Sequence, residues 1–289
     1  MACRTKEARK ADVQMTKALS DGDNLLYRLL SDLVKQGGSN GQWLIEHIVA
    51  DCSVWWDPMV YAECPVLLPW AVRDPDSRGN RSKGLRDEWG SPNSAGYFRD
   101  DNSLVKGLVK ALSVRGPVNG YMTGQRLGLG WVAAHIWRDN SGDVLASRDP
   151  RLYTFTPNLV WLPRQIAKLS DVEGGPVQSA LKSISRALYR PTQPVGAKHA
   201  IAERAWGYLT DGQNPKFAID LERLSFFDNP EKTIAMRQKR TKEVVDALIS
   251  LEAGGKLTKK VVSGRYTTGL PSVSANARST LRWELEQHL

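Results

Sequence analysis

The chain has 289 residues, 41% of them apolar and 25% charged, and its 40 Lys and Arg against 31 Asp and Glu leave a formal charge of +9. That composition excludes a wholly disordered chain, and the positive excess favours a polyanionic partner, since each neutralised phosphate releases condensed counterions. Three cysteines without a C-x-x-C pair exclude a disulfide framework and a cysteine-bound structural zinc; with no apolar run near ~18 residues and no signal-peptide core, we expect a cytoplasmic protein with no membrane contact.

From the N-terminus, the apolar spacing over Ala8 to Lys35 predicts two helices broken near Asp21-Gly22-Asp23. After the break Gly37-Gly38-Ser39-Asn40-Gly41, a helix is expected over Gln42 to Ser53. Its His47 and Asp51 lie one helical turn apart, a spacing that suits a hydrogen bond on one face more often than a metal site lacking a third ligand. Val54 to Trp70 is dense in aromatics and prolines, which predicts short extended pieces. A long polar, glycine-rich loop follows, with Arg73, Arg78, Arg81, Lys83 and Arg86 spread among acids and able to reach phosphates or base edges.

Ser103 to Ser113 reads as a short helix opened by a serine cap. Beyond the glycine-rich lead Val118 to Gly130, Trp131 to Trp137 is a short apolar strand that carries His135 near its end. A polar loop leads to Tyr153–Leu162, a second predicted strand holding Asn158 just after Pro157, and Pro163 suits the first turn of a helix running to Asp171 because its missing N–H costs nothing there. Helices are then expected over Val177 to Tyr189, Ala197 to Leu209, Pro230 to Leu251 and Ser274 to Leu289. Between Lys232 and Arg265 nine basic residues stand against three acids, and Lys256 to Tyr266 reads as a basic hairpin or loop suited to a nucleic-acid backbone.

Phosphodiester hydrolysis needs a base for the attacking water, a cation near the leaving oxygen, and a scaffold that fixes both. The central stretch offers a histidine that titrates near neutrality, an asparagine to hold its loop, and a carboxylate on the next helix. In this order it resembles the HNH, or ββα-metal, nucleases: Ala134-His135-Ile136 on the first strand, Asn158 to Leu162 opening the second, and Pro163 to Asp171 as the helix. The resemblance implies that His135 is the general base, that Asn158 orients it, and that Asp171, with Gln165 a poorer candidate, binds Mg2+ or Mn2+. The family's commoner ligand places fall on Ala134 and Ala167, so Asp139 or Asp149 from the loop, or water, is left to complete the metal site. No structural zinc is expected.

We therefore expect an α+β, helix-rich protein: residues 1–117 a helical and loop region for DNA recognition, 118–190 the ββα-metal core, 191–289 a basic helical region for DNA binding. The expected function is a restriction-type endonuclease on double-stranded DNA, acting as a homodimer because a duplex cut at a symmetric site favours two-fold symmetry. Besides the loop cations, the expected DNA contacts are Arg138, Arg164, Lys239, Arg240, Lys259, Lys260 and Arg265. The rival expectations are a nucleic-acid-binding protein whose ββα scaffold has lost its metal, and an enzyme unrelated to nucleic acid in which His135 is structural.

Overall fold

A computed structural model describes residues 19–20, 41–77, 88–118, 120–138, 145–171, 173, 176–209 and 220–289. In chain order the elements are β1 (Leu19–Ser20), α1 (Gly41–Cys52), β2 (Val54–Trp55), α2 (Pro58–Glu63), β3 (Ala71–Arg73), β4 (Phe98–Asp100), α3 (Ser103–Gly107), β5 (Val114–Arg115), β6 (Arg126–Leu127) and β7 (Trp131–His135). They continue with α4 (Pro150–Tyr153), β8 (Leu159–Pro163), α5 (Arg164–Ser170), α6 (Pro176–Tyr189), α7 (Lys198–Tyr208), β9 (Ser225–Phe227), α8 (Pro230–Glu252), α9 (Gly264–Gly269) and α10 (Ala275–Glu286). Helices thus surround a small mixed sheet, as an α+β reading expects. Among the described residues no helix is long and apolar enough to cross a membrane.

Five strands form the main sheet in the order β5-β9-β2-β8-β7. β2 runs parallel to β9 and antiparallel to β8, and β7 pairs antiparallel with β8 over the full register from Trp131↔Pro163 to His135↔Leu159. The stretches 1–117, 118–190 and 191–289 therefore all give strands to one sheet over one continuous core. β8 reads Leu-Val-Trp-Leu-Pro and is buried at every position, the run expected of a strand covered on both faces. Its Trp161 meets Trp56 and Phe227 at ring-centroid distances of 5.5 and 5.0 Å, both edge to face. Six of the ten tryptophans, Trp55, Trp56, Trp70, Trp137, Trp161 and Trp206, lie in this core. Edge-to-face rings add to the burial of apolar area, so the aromatic-rich sequence fixes the sheet that carries β7.

Several expected boundaries move. Tyr153 to Leu162 is not one strand: Asp149 caps the short α4, its Oδ1 accepting from Arg151 N at 2.9 Å, and Thr156–Asn158 forms a 3-10 turn before β8 begins at Leu159. Pro150 and Pro157 each preset a helical φ, and local capping outweighs the strand propensity of the neighbouring Tyr and Phe. α5 begins at Arg164, with Pro163 as the extended residue before it. Within Val54 to Trp70, Asp57 caps α2 and Pro58 opens it, so this segment is helical in part. Ser103 is the first residue of α3, not its cap: Asn102 stands before it at φ 82°, and the Asp100 carboxylate accepts the Ser103 and Leu104 N–H groups. Lys256 to Ser263 is a loop rather than a hairpin, and Ser263 caps α9. Most of Ala8 to Lys35 lies outside the described residues; within it, Leu19–Ser20 pairs with β6 as a strand rather than as part of a helix.

Candidate functional site

β7, β8 and α5 form an antiparallel pair followed by a short helix, and along their open side lies a cleft of about 370 Å³. His135, the last residue of β7, reaches this cleft half-buried. Its Nε2 lies 2.9 Å from the backbone oxygen of Tyr153. A carbonyl only accepts, so Nε2 carries the proton and Nδ1 keeps its lone pair. The Tyr153 ring stacks beside the imidazole, 5.7 Å between centroids and 21° between planes, and the Tyr153 hydroxyl donates to Asp100 Oδ2 at 2.6 Å. The histidine is thus held by both the backbone and the ring of a residue that β4 itself pins. Burial, with a smaller push from the nearby Arg73 charge, lowers its pKa to about 4 against the opposing Tyr153 carbonyl, so the ring is a neutral base near pH 7.

Asn158 is fully buried and closes the loop between the two strands. Its Oδ1 accepts the Trp137 N–H at 2.8 Å, its Nδ2 donates to Leu152 O at 3.2 Å, and its backbone oxygen accepts from Ile136 N at 3.0 Å. These bonds clamp the residues just after His135 onto the turn just before β8. Two side chains of α6 hold the same region, Gln178 donating to Ile136 O at 3.1 Å and Ser185 to Pro157 O at 2.6 Å. The sequence-predicted pair of His135 and Asn158 is thereby brought into one unit, with the asparagine acting on the chain rather than on the ring.

The cleft wall is strongly cationic: Arg73, Arg138, Arg164 and Lys168 line it, facing the single carboxylate of Asp171 among the described lining residues. Asp171 follows α5 and is well exposed; Arg138 Nη1 donates to its backbone oxygen at 2.6 Å and lies 3.9 Å from its Oδ1. At that distance and exposure the ion pair itself contributes little. Ala134 and Ala167 line the cleft without donor atoms, whereas Gln165 sits exposed on α5 and is not part of the lining. Asp149 is buried against Arg151, Oδ1 to Nε 2.9 Å and Oδ2 to Nη2 2.5 Å, and does not line the cleft; Asp139 lies outside the described residues. Among the described residues no group of three His, Cys, Asp or Glu is placed to hold a metal ion. Of the expected metal ligands only Asp171 lines the cleft, where Arg73, Arg138, Arg164 and Lys168 line it as well.

Elsewhere, Lys239, Lys259, Lys260 and Arg265 are exposed on or after α8, and Arg240 pairs with Glu243 at 2.7 Å; none lines the cleft. Arg78, Arg81, Lys83 and Arg86 lie outside the described residues. Asp51, one helical turn after His47, also draws a partner from far along the chain. The Asp51 carboxylate receives Arg223, Nε to Oδ1 at 3.0 Å, and burial raises its pKa while Arg223 lowers it in part. Sequence reasoning did not find Lys168, Tyr153 or Asp100. Lys168 carries the one available signal, since it stands one helical turn after Arg164 on α5. No protein-family model matches the chain, nor does any curated protein or solved structure.

Proposed function

We propose that the chain is a metal-dependent endonuclease that hydrolyses DNA phosphodiester bonds at the β7–β8–α5 cleft, as a restriction-type enzyme acting on a duplex as a homodimer. One observation carries this reading: the His135 ring, held through its Nε2–H with Nδ1 unprotonated, lines a cleft rich in cations. Nδ1 takes a proton from water as the water oxygen bonds to phosphorus, the phosphorus–oxygen bond to the leaving group breaks, and that oxygen takes its proton from solvent. Arg164 and Lys168 offer charge to the non-bridging oxygens, and Asn158 keeps the base in register by holding the chain at Trp137. Asp171 would hold Mg2+ or Mn2+, which supplies positive charge at the leaving oxygen.

Ala134 and Ala167 support a second reading, a nucleic-acid-binding protein on a ββα scaffold without its metal. Plasmid incubated with Mg2+ or Mn2+ and either wild type or His135→Ala separates the two. The nuclease reading expects cleavage by wild type alone. If both proteins shift the plasmid on a gel and leave it intact, the binding reading stands.

A further inference from the structure

Arg73 comes to the cleft from outside the β7–β8–α5 unit. It ends β3, whose Ala71 and Val72 are buried, and it pairs in register with Asp100 of β4. Its Nη1 donates to the Oγ of Ser147 at 3.2 Å, and Ser147 is itself buried in the 3-10 turn that leads into Asp149. Its Nε–H is buried and meets no acceptor. Carboxylates close to it in the chain are committed elsewhere. Asp74 Oδ1 accepts the Asp76 N–H at 3.1 Å, and Asp100 takes the Tyr153 hydroxyl, the Trp89 indole N–H at 3.1 Å and backbone N–H groups of α3. Among the described residues, Arg73 makes no ion pair with any carboxylate.

The other cations of the cleft differ from it. Arg138 spends a donor on the Asp171 carbonyl, and Arg164 and Lys168 extend from the exposed face of α5. Arg73 alone is partly buried, anchored at one nitrogen, and left with an unmet N–H beside His135. A buried donor without an acceptor is costly, and a guanidinium fork matches two oxygens of a tetrahedral anion. We infer that Arg73 is the group that grips a phosphate in this cleft, with Ser147 holding its guanidinium in place for that anion. The inference deepens the nuclease reading and rests on it for the identity of the phosphate as that of a phosphodiester.

The test uses the whole chain and inorganic phosphate as the probe, followed through the His135 ring resonances by NMR. Wild type is expected to show saturable shifts. Arg73→Ala should weaken phosphate binding by about tenfold or more and Arg73→Lys by less, because a point charge replaces a fork. Arg148→Ala, an exposed arginine outside the cleft lining, should bind as wild type. If Arg73→Ala does not fold, Ser147→Ala must show the loss in weaker form, with circular dichroism confirming its fold. The assignment is overturned if phosphate moves the His135 signals equally in wild type and in the Arg73 or Ser147 variants, or does not move them at all. Plasmid cleavage is scored separately. A wild type that binds phosphate through Arg73 but never cuts removes the nuclease reading and keeps the anion site; one that cuts with Arg73→Ala unimpaired does the reverse.

Discussion

Replacing Asn158 by alanine tests the tie that holds the chain beside His135. The side chain is fully buried and uses both ends of its amide, accepting the Trp137 N–H at 2.8 Å and donating to Leu152 O at 3.2 Å. Alanine leaves a buried N–H with no acceptor and a carbonyl short of a donor, and each such loss costs about 1–3 kcal/mol, so Asn158→Ala should destabilise the fold by roughly 2–5 kcal/mol. At roughly 2–4 °C per kcal/mol for a chain of this size, the melting temperature should fall by about 5–15 °C. Asn158→Asp sharpens the reasoning. One oxygen still serves Trp137, but the other now faces the Leu152 carbonyl, so burial and that contact raise the new carboxyl's pKa above its unfolded value. With the folded pKa raised, stability relative to wild type is retained in acid and lost as pH rises through the unfolded and then the folded pKa. Asn158→Asp should therefore be worse than Asn158→Ala at pH 7 and better at pH 4. Urea titrations of the three proteins at both pH values measure this directly. A loss below about 0.5 kcal/mol for the alanine variant, or an aspartate variant indifferent to pH, would refute the claim that Asn158 clamps the loop through both ends of its amide.

Further predictions concern the cleft and its surroundings. His135 should titrate near 4 by NMR, and because its folded pKa lies below the ordinary 6.5, wild type should lose stability as pH falls from about 6.5 through 4, a loss that His135→Gln should lack; a midpoint near 6.5 defeats this. On the nuclease reading, His135→Ala should lower the cleavage rate by about a hundredfold or more while changing DNA affinity only a few-fold, measured by single-turnover cleavage and gel shift. Asp171→Ala should raise the Mg2+ concentration for half-maximal cleavage by about tenfold and leave the phosphate response of His135 in place, so an unchanged Mg2+ requirement moves the metal site elsewhere. Arg223→Ala should cost about 1–3 kcal/mol in a urea melt, because it strands the partly buried Asp51 carboxylate; Asp51→Asn combined with it should recover part of that loss.

Sequence alone determined what is local. The helices over 176–189, 198–208, 230–252 and 275–286 follow from apolar periodicity, and His135, Asn158 and Asp171 could be grouped because strand, turn, strand and helix follow one another within one stretch. Even there, β propensity alone predicts a strand where Asn158 closes a 3-10 turn, since capping by Asp149 and the two prolines competes with it at single-residue scale. Only the tertiary structure decided what surrounds His135. Arg73 and Ser147 come to the cleft that His135 lines, and Asp100 to the Tyr153 hydroxyl, through the β3–β4 pair and the packing of separate chain segments, and no spacing in the sequence links them. Periodicity reports which face of an element is buried, whereas the partner of a charged side chain is fixed by which distant segments the core brings together. Asp51 shows the difference: its sequence neighbour one turn away is His47, and its guanidinium partner comes from Arg223, far along the chain.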